Sequence, residues 1–101
     1  MISINKVELA KKITSKENFT IMFYSEYCDK CHDQIENFKK HDINCYSINV
    51  DNDEDFFIEW YKLDVMPEVQ VYRFGNKIWS KENVLNEADL ATVKEYERNN
   101  I

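Results

Sequence analysis

Phe19-Thr20-Ile21-Met22-Phe23-Tyr24-Ser25-Glu26-Tyr27-Cys28-Asp29-Lys30-Cys31 is the stretch whose reading decides the architecture. Its first six residues form a short, nearly continuous apolar run, the pattern of a strand covered on both faces. Ser25-Glu26-Tyr27 leads directly into Cys28. From Cys28 to Lys40 the apolar Cys31, Ile35 and Phe38 share one helical face, while Asp33, Glu36 and Lys39 share another. A strand therefore runs straight into a helix, with a C-x-x-C pair at the junction.

Outward from this unit the same two periodicities recur. Asn5-Lys6-Val7-Glu8 reads as an N-cap followed three residues later by an acid, and Val7, Ala10 and Ile13 predict a helix over Lys6 to Thr14. Met1–Ile4 leaves room for a short edge strand. Cys45–Val50 alternates like a strand, so a β-α-β unit with parallel strands and a right-handed crossover is expected. Asp51-Asn52-Asp53 offers caps for a helix over Phe56, Phe57, Trp60 and Tyr61, whose rings at helical spacing read as core. After Pro67, Val69–Phe74 alternates, Gly75-Asn76 turns the chain, and Lys77–Ser80 returns as a hairpin partner. Asn86 then caps a last helix through Leu90, Val93 and Tyr96. The order predicts an α/β fold, a central mixed β-sheet flanked by helices on both faces.

The 101 residues are 44% hydrophobic, enough to bury one core, and a single domain over residues 1–101 is expected. The net charge of −6, with lysines scattered among acids, argues against a nucleic-acid surface. Met1–Ala10 lacks a signal-peptide core and no run approaches the ~20 apolar residues of a membrane span, so no membrane partner and a cytoplasmic location are expected. Three cysteines, only two of them close together, do not make a disulfide-stapled scaffold.

A C-x-x-C between a strand end and a helix start has a physical reason to react. The helix N-terminus presents unpaired N–H groups and the positive end of the dipole, which favours thiolate at the first cysteine. Cys28 is therefore the candidate nucleophile, and Cys31, one turn on, the candidate resolving thiol. A zinc site would add His41 and Cys45, but Cys45 opens an apparent strand and reads as a core residue. Cys28 to His32 also spells the haem-attachment pattern, which requires export. His32 reads either as a helper of the thiolate or as a bystander. Asp51 through Asp55 lacks the glycine and terminal acid of a calcium loop.

Val65-Met66-Pro67-Glu68 places the only proline just before a strand, where a cis X–Pro bond could bring the loop against the cysteines. Here the chain resembles the thioredoxin family, through Phe23–Cys31, Ile48-Asn49-Val50-Asp51, Val65-Met66-Pro67, the Phe74-Gly75-Asn76 turn and the final helix, from about Asn5 to Asn99. The resemblance implies a thioredoxin fold and thiol–disulfide exchange in which Cys28 attacks a protein disulfide and Cys31 resolves the product. It implies a substrate site of Tyr27, Met66, Pro67 and Glu68, with Asp29 and Lys30 tuning the electrostatics between the cysteines. It also implies a monomer with no bound cofactor beyond the Cys28–Cys31 disulfide, recharged by an external, thioredoxin-reductase-like donor.

Several residues depart from the family's pattern. Tyr27 stands for the usual Trp, Asp29-Lys30 for Gly-Pro, and Met22 and Ser47 for the buried Asp and Lys that move the resolving cysteine's proton. Deprotonation of Cys31 is then expected to use solvent or Glu68. Glu68 stands for a small Thr, and Glu82-Asn83 for an apolar-Gly step. With Glu26 and Asp29, these acids predict a docking face that favours basic partners, Lys30 being its one fixed cation. A glutaredoxin is disfavoured because the chain has one glycine. The competing class is a non-enzymatic adaptor with the same fold.

Overall fold

The apolar run Phe19–Tyr24 forms β2, and its first five residues are buried. A strand so covered needs hydrogen-bonding neighbours on both edges and packing on both faces. β3 (Tyr46–Asn49) supplies one edge in parallel, with Tyr24 opposite Asn49. β4 (Glu68–Arg73) supplies the other in antiparallel, with Phe23 opposite Glu68. β1 (Ile2–Ser3) and β5 (Asn76–Glu82) complete a five-stranded mixed sheet in the order β1-β3-β2-β4-β5. The structure, a computed structural model, describes residues 1–98; Asn99, where the family resemblance ends, lies outside them.

Alternation along β2 divides the interior into two clusters. Phe19, Ile21 and Phe23 pack with Leu9 of α1 (Lys6–Thr14) and with Phe57 and Leu63. Met22 joins Phe38 of α2 (Asp29–Lys40) and Leu90 and Val93 of α3 (Glu87–Arg98) on the opposite face. Helices thus flank both faces, as the element order predicts. Both outer helices carry the caps read from the sequence. Asn5 Oδ1 accepts from the Glu8 N–H at 2.9 Å, and Asn86 Oδ1 accepts from the Asp89 N–H at 2.8 Å.

The expected helix over Phe56, Phe57, Trp60 and Tyr61 is replaced by irregular turns. Val50–Asp53 winds as a 3-10 turn and Phe56–Trp60 as a π-helical turn. The Tyr61 N–H donates to the Phe56 carbonyl at 3.2 Å, five residues back. In that wider winding residue i+5 returns to the starting face, where an α-helix would return i+3 and i+4. Phe56, Phe57 and Tyr61 accordingly pack on the β2 side, whereas Trp60 is turned out and is 78% exposed.

The hairpin differs by one residue from the expected Gly75-Asn76 turn. Arg73 pairs with Asn76, so the two turn residues are Phe74 and Gly75, both left-handed at φ 53° and 77°. Two positive φ values make the twist of a primed turn, which matches that of the flanking strands. A register shift lies between Val71 and Tyr72, and alternation alone does not reveal it. The tip docks onto the loop after α1, where the Gly75 N–H donates to the Glu17 carbonyl at 3.1 Å. A Cβ on Gly75 would lie 2.4 Å from the Ile13 carbonyl oxygen. Gly75→Ala, clashing and strained at positive φ, is therefore expected to destabilise the fold by more than about 1 kcal/mol, read as a lower denaturant midpoint; an unchanged midpoint would contradict this packing.

Candidate active site

β2 ends beside the end of β3, and the chain crosses from sheet to helix in the turn Ser25–Cys28. The Cys28 N–H donates to the Ser25 carbonyl at 3.3 Å. Cys28 is extended, at φ −111° and ψ 110°, and occupies the N-cap of α2. Its Sγ accepts from the Cys31 N–H at 3.3 Å, so a sulfur fills the place usually taken by a cap oxygen. The same sulfur lies 3.7 Å from the Met66 carbonyl, to which its thiol donates. The Met66–Pro67 bond is cis, as the sequence led one to expect.

The two cysteines differ in environment. Cys28 is half-buried and Cys31 is 1% exposed. Burial first, then the hydrogen bond with Cys28, pushes the Cys31 thiol up to about 12; the negative charge of Asp51 adds to the rise and the Ser25 main chain acts against it. Cys45 is buried at the other end of β3, where burial likewise pushes its thiol up to about 12. That agrees with its reading as a core residue.

Of the expected substrate residues, Tyr27 is 91% exposed beside Cys28, and Met66 presents its carbonyl to the Cys28 sulfur. Asp29 is exposed in the first turn of α2. The Lys30 ammonium donates to Asn83 Oδ1 at 3.1 Å, and the Asn83 N–H donates to the Pro67 carbonyl at 2.8 Å. One helical turn beyond Lys30, the buried Gln34 accepts from the Leu85 N–H at 2.7 Å. The loop after β5 therefore ties the cysteine helix to the proline. In the sequence Asn83 stands out only within the Glu82-Asn83 step and Gln34 not at all; their links become visible only once β5 and α2 converge.

Glu68 is placed differently from the expectation of an exposed docking acid. It is 7% exposed, and its carboxylate accepts from the Gln70 amide in a buried string that continues through Tyr72 to Tyr61. The pairing of Phe23 with Glu68 fixes its face: it points to the cluster beneath α1, on the opposite face from α2. The carboxylate acting on Cys31 is that of Asp51. Glu26, Asp29 and Glu82 remain exposed. Met22 and Ser47 are buried and directly paired, so those two positions are neutral.

His32 meets the Glu26 carbonyl at 3.3 Å, and His41 contacts the Asn37 carbonyl and Glu87. Among the described residues no group of three or more His, Cys, Asp or Glu side chains is arranged to hold a metal ion, and no helix is long and apolar enough to cross a membrane.

No family model and no curated protein matches the sequence. Solved structures match its fold. The thioredoxin of Malassezia sympodialis superposes with a TM-score of 0.75 over 95% of this chain and 90% of its own, at 18% identity. The chain has the thioredoxin fold. The thioredoxin of Plasmodium falciparum is similar, with a TM-score of 0.73 over 95% of this chain and 99% of its own at 19% identity. So is a chain in the crystal structure of a ferredoxin:thioredoxin reductase and thioredoxin f2 complex, at 0.73, 95%, 94% and 11%. Within the thioredoxin fold seen here, the cysteine pair sits where β2 gives way to α2.

The contrast between the two sulfurs predicts an order of labelling. Iodoacetamide at neutral pH is expected to modify Cys28 first, and labelling of Cys31 to climb about tenfold per pH unit as its thiolate fraction rises below the elevated pKa. Mass mapping reads the order, and prior labelling of Cys31 or Cys45 would overturn the assignment of roles.

Proposed function

We propose that the protein is a thiol–disulfide oxidoreductase that reduces protein disulfides through Cys28 and Cys31. The observation that carries this reading is the Cys28 sulfur, half-exposed at the head of α2 and facing the Met66 carbonyl, with the shielded Cys31 one turn behind it. The Cys28 thiolate attacks one sulfur of the substrate disulfide, forming a mixed disulfide and releasing one substrate thiolate, which takes a proton. Cys31 then gives up its proton and attacks the Cys28 sulfur. The Cys28–Cys31 bond forms, the second substrate thiol leaves, and two electrons have passed to the substrate.

Return to the dithiol needs an external reductant. We assign that role to a reductase partner, a reading supported by the similar chain found in complex with a ferredoxin:thioredoxin reductase. The cycle suits a reducing compartment such as the cytoplasm, acting as a monomer. The exposed Glu26, Asp29 and Glu82 favour basic partners during encounter, while Lys30 stays tied to Asn83. Tyr27 and the Met66–Pro67 main chain offer the surface on which a substrate segment would lie.

The test is turnover of insulin disulfides with a dithiol reductant. The parent protein is expected to accelerate reduction, and Cys28→Ser to fall to the uncatalysed rate. Equal rates for the two would leave the adaptor reading in place of the enzyme.

A further inference from the structure

With Met22 and Ser47 neutral, the carboxylate that acts on Cys31 comes from beyond the far end of β3. Asp51 lies two residues beyond Asn49, and the parallel pairing of Tyr24 with Asn49 brings it beside Ser25, the first residue after β2. Its N–H donates to Asn49 Oδ1 at 2.8 Å, which fixes the bend. Both carboxylate oxygens are engaged by consecutive residues of the cysteine turn. Oδ1 accepts from the Ser25 hydroxyl at 2.7 Å, and Oδ2 from the Glu26 N–H at 3.0 Å. Such charge-assisted bonds are roughly twice as strong as neutral ones.

Ser25 passes the constraint on. Its Oγ accepts from the Tyr27 N–H at 3.3 Å, and its carbonyl accepts from the Cys28 N–H at 3.3 Å. Every residue from Ser25 to Cys28 is thus held, directly or at one remove, by a single carboxylate. We propose that Asp51 is a positioning residue for the resolving step, acting through Ser25 and Glu26 to hold the turn that keeps Cys28 and Cys31 in register for exchange. The proposal rests on the dithiol reaction above.

Two effects of opposite sign separate this role from general support of the fold. The titratable groups that act on Cys31 are Cys28 on its own helix and Asp51 from the segment after β3. Holding the Ser25 main chain against Cys31 favours the thiolate, whereas the Asp51 charge disfavours it. Removing the hydroxyl link and removing the charge should therefore move the pH dependence of resolution in opposite directions.

Stopped-flow reaction of the reduced full chain with Ellman's reagent, in a Cys45→Ser background, reads both. Cys28 attacks first and releases one thionitrobenzoate. Cys31 then attacks the Cys28 sulfur, its proton goes to solvent, and a second thionitrobenzoate leaves in a phase independent of reagent concentration. Ser25→Ala is expected to slow that second phase about tenfold at neutral pH and to raise its pH midpoint. Asp51→Asn keeps an acceptor for the hydroxyl, gives up the one that takes the Glu26 N–H, loses the charge, and is expected to lower the midpoint. Combining Ser25→Ala with Asp51→Ala is expected to be no slower than Asp51→Ala alone, because the two act as one unit. Second-phase rates within about twofold of the parent together with unshifted pH midpoints in all variants, whatever their thermal stability, would overturn the positioning role. A parent with no second phase would overturn the dithiol reading itself, and the positioning role with it.

Discussion

Cys28 closes the first turn of α2 with its own sulfur, and the rest of the site is arranged around that contact. A helix start leaves several N–H groups without intrahelical partners, and the acceptor at the N-cap is fixed in direction by the N–H it satisfies. Here that acceptor is the Cys28 Sγ, bonded to the Cys31 N–H. The bond aims the sulfur along the helix start and sets Cys31 one turn behind it. Moving the cap by one residue would break both relations. β2 prevents that slip, because its buried residues pair on both edges and end the strand at Tyr24.

The unequal burial of the two thiols follows from the same placement. At the head of the helix Cys28 borders solvent and the Met66 carbonyl, while Cys31 faces the interior, where burial holds it as a thiol. An exchange reaction needs this asymmetry: the first sulfur must meet a partner from outside, and the second must stay silent until a mixed disulfide forms beside it. Three supports converge from different elements. The turn after β2 is held by Asp51, the loop after β5 is held by Lys30 and Gln34, and that loop in turn holds Pro67.

Much of this was legible in the sequence because the decisive signals are local. The apolar run of β2, the cysteine pair at its end, the Asn caps of α1 and α3 and the lone proline each depend on a few neighbouring residues. What was not legible depends on register. Glu68 looks like a surface acid until its pairing with Phe23 turns it inward and Gln70 satisfies its carboxylate. The hairpin turn falls on Phe74-Gly75, and the β4–β5 pairing carries an irregularity between Val71 and Tyr72 that no local pattern marks. Trp60 reads as core under α-helical spacing and is released by a π-helical turn. Asp51 reads as one of several caps and as the end of the Ile48-Asn49-Val50-Asp51 segment; its contact with Ser25 follows only once β2 and β3 are known to end side by side.

Equilibration with glutathione buffers of graded redox poise, followed by acid quench, alkylation and mass mapping, tests most directly whether Cys28 and Cys31 form a redox pair. Such a pair gives one reversible two-electron transition in which Cys28 and Cys31 become linked to each other while Cys45 stays a free thiol throughout. A transition that links Cys45 to either residue, or leaves Cys28 and Cys31 unlinked at every poise, would contradict it.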